Sequence, residues 1–275
     1  MKQNYNEILR EYRIYLTEHE KSHATIQKYV RELVWFLSFL QGEEPTKAKV
    51  LEYREQLQQS HHARTVNAKL SAIHSYLDYL GLAACKVRFL KIQHTVFVDD
   101  SRDLTEAEYH RLLDAAKRKK DSRLYHVMLA ICTTGIRVSE LSFLTVEALH
   151  KGKAEIRMKG KIRTILLTKE LCRKLNAYAK EKGIRTGYLF CTRTGKPLDR
   201  SNICHDMKKL CAQAQVEACK VFPHNLRHLF ARVYYGIEKD LAHLADVLGH
   251  SQIETTRIYV AASVKTHEKI LERME

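Results

Sequence analysis

The chain has 275 residues, with 47 Lys and Arg against 32 Asp and Glu, for a net charge of +15. That length suits two domains, and so large a basic surplus makes a polyanion the leading partner, either nucleic acid or an anionic membrane surface. A composition 45% hydrophobic and 29% charged excludes a disordered chain, and only three prolines and ten glycines argue against an all-β sandwich.

Residues 5–80 read as four helices. In the second, Ile26, Tyr29, Val30, Leu33, Phe36, Leu37 and Leu40 recur at intervals of three and four and predict one apolar stripe. Val66, Leu70, Ile73, Leu77 and Leu80 repeat the pattern in the fourth, with Gly81 as a stop signal, and a shorter helix runs from Thr46 to Gln59 after Pro45. Between Gly81 and Asp103 the helical period fails and short β-like runs appear, Val87-Arg88-Phe89 and Thr95-Val96-Phe97-Val98. The expected organisation is therefore a helical domain over 1–85, a linker over 86–103 and a second domain over 104–275. Both parts are basic: 14 cationic against 10 anionic residues in 1–95, and 33 against 22 in 96–275.

The second domain opens at Thr105, whose spacing to Glu108 predicts a capping box. One apolar helix ends at Gly135 and another is expected from about Arg137. The period then drops to two: Ala154, Ile156 and Met158 alternate with polar residues, as do Ile165 and Leu167. Lys159-Gly160-Lys161 lies between these runs and predicts a hairpin turn carrying two lysines. Helices return from about Lys169 to the C-terminus, interrupted over 183–199. The fold class expected is mainly α with a small antiparallel β-sheet.

Seven cysteines, odd in number and without a CxxC pair, argue against a disulfide framework or a zinc site and for reduced thiols. The polar N-terminus and the lack of any apolar run near 18 residues give no signal peptide and no membrane span. A soluble, cytoplasmic protein is expected. His224 and His228 are four apart, but no third ligand is visible and Arg227 would repel a cation, so neither metal nor cofactor is expected.

Four segments suit one chemistry. They are Thr134-Gly135-Ile136-Arg137-Val138-Ser139-Glu140-Leu141, Lys159 in the turn, Pro223-His224-Asn225-Leu226-Arg227-His228, and Leu248-Gly249-His250-Ser251 followed by Thr255-Thr256-Arg257-Ile258-Tyr259. His224 and Arg227 share one helix face, and Ser251 with Glu254 has capping-box spacing that puts Tyr259 on a short helix. Each has a plainer reading by itself. Arg137 could be an ion-pair partner of Glu140, Lys159 and Lys161 solvated turn charges, His250 a helix C-terminal partner, and Tyr259 a core residue. Their joint occurrence, in this order, favours a shared site.

In that order the segments resemble the tyrosine recombinases, or phage integrase family; the HxLRH and LGHxxxxTTxxY stretches, over about residues 104–262, carry the resemblance. The four-helix part is similar to that family's core-binding domain, and the compact length to its Xer-like members. The resemblance implies an N-terminal four-helix core-binding domain and a C-terminal catalytic domain that clamp duplex DNA. It implies site-specific strand cleavage and rejoining, with Arg137, Arg227 and His250 as donors to the scissile phosphate and His224 sharing the tyrosine proton. Tyr259 would be the nucleophile, forming a 3′-phosphotyrosyl bond, and Lys159 the general acid. The family turn reads Gly-Lys-Gly-x-Lys-x-Arg, whereas here Met158-Lys159-Gly160-Lys161-Ile162-Arg163 is one residue shorter, so Lys161 is a rival to Lys159.

The implied partners are double-stranded DNA core half-sites and further copies of the chain, in a tetramer on DNA, with accessory directionality proteins and no membrane. A tail segment containing Ile270 and Leu271 would dock on a neighbouring subunit or pack in cis. A type IB topoisomerase-like strand transferase and a non-catalytic DNA-binding regulator are the alternatives. In the fourth helix Arg64, Thr65, Asn67, Lys69 and His74 share a polar side that reads either as a DNA-contacting face or as a solvated one.

Overall fold

The computed structural model describes residues 5–92, 100–119, 121–158, 161–192, 194–260 and 272. It divides into two compact units, Met1–His94 and Thr95–Glu275. In the first, α1 (Tyr5–Glu18), α2 (His23–Leu40), α3 (Lys47–Ser60) and α4 (Ala63–Tyr79) follow one another through short turns. Ser22 and Thr46 start α2 and α3, each side-chain oxygen accepting from the backbone N–H three residues on. The predicted stripes meet in one core, where Tyr12, Leu33, Phe36, Val50, Val66, Leu70, Ile73 and Leu77 are fully buried.

The chain beyond α4 stays bound to these helices. Val87 is buried in their core, and the Asn67 side chain both accepts from Leu90 N–H at 2.8 Å and donates to Leu90 C=O at 2.9 Å. The Val87–Phe89 run pairs with no strand among the described residues, while the Thr95–Val98 run lies outside them. These bonds also account for much of the α4 polar side. Asn67 holds Leu90, Lys69 pairs with the nearly buried Glu32 at 2.7 Å, and His74 Nε2 accepts from Val87 N–H at 3.4 Å. Three of the five residues read as a possible DNA-contacting face are thus engaged within the unit.

The second unit opens with α5 (Glu106–Lys117), whose Thr105–Glu108 capping box forms as the spacing predicts. Next come α6 (Arg123–Thr134), a 3₁₀ turn over Val138–Phe143, α7 (Val146–Lys151), and the hairpin β1 (Lys153–Met158) and β2 (Lys161–Leu166). The remainder is helical: α8 (Lys169–Glu181), α9 (Arg200–Lys208), α10 (Cys211–Ala214), α11 (Pro223–Glu238), α12 (Leu241–Leu248) and α13 (Ile253–Val260). The two strands pair antiparallel with Ile156 opposite Arg163, and Ala154, Ile156 and Ile165 point into the core.

The helix expected at Arg137 is a 3₁₀ turn over Val138–Phe143 instead, entered through a bond from Arg137 N–H to the Glu140 carboxylate at 2.8 Å. α6 and α11 pack against each other, with Met128 and Ile131 of α6 and Leu226 and Leu229 of α11 buried in the common core, which sets the C-terminal end of α6 beside the catalytic candidates on α11. Lys159 and Gly160, which include the candidate general acid, lie outside the described residues, as do Ile270 and Leu271. Among the described residues no helix is long and apolar enough to cross a membrane.

Candidate active site

α11 begins with Pro223, whose fixed φ suits the first helical position, and the Asn225 amide anchors that end by donating to Arg102 C=O at 2.8 Å and Lys220 C=O at 2.7 Å. One turn on, Arg227 is 1% exposed. Its guanidinium donates to the Gly135 carbonyl at the end of α6, to the Leu248 carbonyl at the end of α12 at 2.7 Å, and to His250 Nε2 at 3.0 Å. Its Nε has no hydrogen-bond partner, and among the described residues no carboxylate pairs with it. Burial and the nearby Arg137 charge lower its pKa to about 10, so it remains a cation at neutral pH. A buried charge of this kind costs several kcal/mol unless a counter-ion arrives.

Gly135 makes this approach possible. It caps α6 with φ +63°, and a Cβ there would stand 2.5 Å from Phe230 and 2.9 Å from Leu248. Two residues later, Arg137 Nη1 pairs with Glu140 Oε1 at 2.9 Å and Nη2 reaches Gly249 C=O at 3.4 Å, leaving 38% of the side chain exposed. Glu140, buried, also holds Arg163 Nη2 at 2.5 Å. Arg163 extends from β2 over Gly249 and donates to Val247 C=O at 2.8 Å. Glu140 is thereby the common carboxylate of two arginines from separate elements, and these two cations, with hydrogen bonds from Arg137, keep it ionised against the desolvation that opposes its charge.

Gly249 ends α12 in the left-handed conformation, φ +64°, and the next N–H, that of His250, bonds back to Ala245 C=O at 2.9 Å. This fixes the His250 ring between Arg227 and the fully buried Thr256, whose Oγ1 lies 2.8 Å from Nδ1. Thr256 sits on α13 three residues before Tyr259. Tyr259 is 6% exposed, packed with Ala231, Leu244 and Leu248 in a small apolar cluster formed by α11, α12 and α13. Its ring meets those of His228 at 4.3 Å, His250 at 5.6 Å and His224 at 5.9 Å between centroids, and its hydroxyl lies within electrostatic reach of the Arg227 guanidinium.

Burial, reinforced by the surrounding cations, holds these histidines neutral. Desolvation, then Arg227, Arg137 and Arg163, bring His250 down to about 4, and desolvation with His224, Arg232 and Arg227 does the same to His228. His224 is also lowered, by partial burial and by Arg227, Arg200 and Arg137. A neutral imidazole beside a phenol can accept a proton. Two clefts open on either side of Arg137. One of about 570 Å³ is lined by Glu140, Arg163, Gly249 and His250, the other of about 360 Å³ by Arg200, His224 and Arg227. Among the described residues no group of three His, Cys, Asp or Glu side chains is placed to hold a metal ion.

Of the residues singled out from the sequence, Arg137, His224, Arg227, His250 and Tyr259 are brought together here from three of the four motif stretches. Arg163, Glu140, Thr256 and His228 join them although sequence reasoning gave them no part in the site. The signals were present: Arg163 closes the lysine-turn motif, Glu140 was read only as an ordinary ion-pair partner, and Thr256 stands inside the TTxxY stretch.

The model of the phage integrase family matches residues 102–266, and that of the phage integrase N-terminal SAM-like domain matches residues 9–83. Among curated proteins the chain is similar to tyrosine recombinase XerA of Pyrococcus furiosus, 29% identical over 276 residues that cover 98% of this chain and 94% of that one. Among solved structures it is similar to that of a XerA recombinase, 26% identical with a TM-score of 0.54 and 99% of both chains covered. It also shares its fold with a lambda integrase dimer bound to a core site, at 15% identity, a TM-score of 0.72 and coverage of 92% and 94%. With one model spanning the cradle around Arg227 and another the helical unit, the chain belongs to the phage integrase family.

Proposed function

We propose that the chain is a site-specific tyrosine recombinase that cleaves and rejoins duplex DNA through Tyr259. The observation that carries this reading is the buried Arg227 cation, which has no carboxylate partner among the described residues and lies against a phenol. A phosphodiester entering beside it would supply the missing anion. The guanidiniums of Arg227 and Arg137 hold the non-bridging oxygens, and His250 adds a third donor. Each such donor is worth about 3–4 kcal/mol of barrier, because charge grows on those oxygens as the attack proceeds.

Tyr259 Oη attacks phosphorus as its proton passes to neutral His224. The bond to the 5′-oxygen breaks, and that oxygen takes a proton from Lys159, with Lys161 as the rival donor. The 3′-phosphotyrosyl bond retains the energy of the broken linkage, so a 5′-hydroxyl of another strand can reverse the chemistry with Tyr259 as leaving group. The partners are core half-sites in duplex DNA, and the working assembly is a tetramer on two sites, in the cytoplasm where its substrate lies, with accessory proteins biasing direction. An exposed apolar groove between α5, α6 and α11 supports self-association: Tyr109, Leu229 and Val233 line it, and Ile237 there is 80% exposed.

Covalent capture tests the reading. A nicked duplex carrying a core site selected by the protein is expected to give an SDS-resistant adduct with the wild-type chain and none with Tyr259→Phe, while Tyr259→Phe binds the duplex with affinity within about twofold. An adduct in the Phe variant would remove Tyr259 from the role.

A further inference from the structure

His250 cannot serve as a phosphate donor in the state seen here. An arginine has only N–H donors, so the 3.0 Å bond between Arg227 Nη2 and His250 Nε2 makes Nε2 the acceptor. Nε2 then carries no proton, the neutral ring holds its proton on Nδ1, and Nδ1–H donates to Thr256 Oγ1 at 2.8 Å. The groups facing His250 from every side are Arg227 and His224 on α11, Arg137 at the 3₁₀ turn, Arg163 on β2, and Thr256 and Tyr259 on α13. Four of these six are cations or neutral imidazole; the carboxylates that share the cleft with His250 are Glu140, already bound to Arg137 and Arg163, and Asp246. Adding a second proton to the ring would place one more positive charge among three guanidiniums.

We propose that Thr256 is a positioning residue whose hydroxyl lets His250 change tautomer without changing charge. In the arrangement seen here Thr256 Oγ1 accepts from Nδ1–H while Nε2 accepts from Arg227. When a phosphate enters, Arg227 Nη2 turns its N–H to a phosphate oxygen and the ring proton moves from Nδ1 to Nε2. Nε2–H then donates to a second phosphate oxygen, and the Thr256 hydroxyl rotates to donate its own hydrogen to the bare Nδ1. One proton leaves one ring nitrogen and one arrives at the other, so the balance is zero and no proton is drawn from solvent overall. Only a side chain that both accepts and donates fits both states; serine does and valine does not. Because Thr256 lies one turn before Tyr259 on a helix, the same bond ties the ring's orientation to the helix that presents the nucleophile.

This inference rests on the phosphate-cradle reading, and the two fail separately. Nitrogen-15 spectra of ¹⁵N-histidine-labelled protein, with His250 identified by its loss in His250→Gln, report the protonation of each ring nitrogen. The expected result is a protonated Nδ1 and bare Nε2 in the free chain, exchanged to a protonated Nε2 and bare Nδ1 when Tyr259→Phe protein binds an uncut duplex carrying its selected half-site. A doubly protonated ring in that complex, or an unchanged tautomer, would overturn the proposal. In single-turnover cleavage of the same duplex, Thr256→Ser should stay within about threefold of wild type, while Thr256→Val should lose about tenfold or more with half-site binding kept. Wild-type cleavage by Thr256→Val would equally overturn it, and if that variant does not fold, the spectra and Thr256→Ser still decide. Absence of any covalent adduct with the wild-type chain would instead sink the cradle reading itself.

Discussion

Arg137 and Arg227 are chemically alike yet held in opposite ways. Arg137 is partly open and already paired with Glu140, so it can be replaced at modest cost to the fold. Arg227 is sealed among carbonyls, and its charge is a standing cost that the substrate relieves. The histidines beside it inherit that electrostatic setting, with consequences for stability as well as catalysis. His228 and His250 have folded values near 4, below the ordinary value of 6.5. Above the ordinary value both folded and unfolded chains are neutral there, and stability is complete. As pH falls from about 6.5 toward 4, the unfolded chain binds protons that the folded chain refuses, and stability is lost. Urea midpoints should therefore fall between pH 7.5 and pH 5, and His228→Gln should flatten that slope. An unchanged slope in the variant would show that His228 does not drive it.

At the scale of elements, two glycine-ended helices converge on the arginines. Gly135 admits Phe230 and offers its carbonyl to Arg227; Gly249 admits the Arg163 side chain and turns His250 inward. A Cβ at Gly249 would both strain a left-handed residue and run into Arg163. Gly249→Ala is expected to destabilise the chain by about 1–3 kcal/mol, read as a lowered urea midpoint, and to reduce cleavage by more than binding because Arg163 and Glu140 lose their alignment. A variant as stable and active as wild type would refute this account. The four N-terminal helices, the Thr105 box and the hairpin strands were legible from period and capping. The 3₁₀ turn after Arg137 was not, since it depends on Glu140 closing onto the Arg137 N–H and on Arg163 arriving from β2, a residue 23 positions away from Glu140.

For the whole molecule, the net charge of +15 is spread over both units, so a partner touching each gains from counter-ion release. Binding to a core-site duplex is expected to weaken steeply with salt, the log–log slope rising by about 0.9 for every phosphate neutralised. In the same experiment, sedimentation of Tyr259→Phe protein with a two-site duplex should approach four chains per pair of sites. A nearly flat salt response would argue against both units gripping the backbone, and a single chain per site at saturating protein would argue against the assembly.

From the sequence by itself came the class of fold, the polyanionic partner, the four motif stretches and most of the catalytic candidates, because helical period, capping, charge and short motifs are local properties written in short windows. Their convergence was a matter for the tertiary structure. Arg227 accepts its place only where the ends of α6 and α12 lend carbonyls, and Glu140 becomes a shared carboxylate only when β2 brings Arg163 across Gly249. Thr256, one hydroxyl among many along the chain, gains meaning once burial leaves the His250 ring as its hydrogen-bond partner. Such roles are set by desolvation and by partners distant in sequence, and no local pattern encodes either.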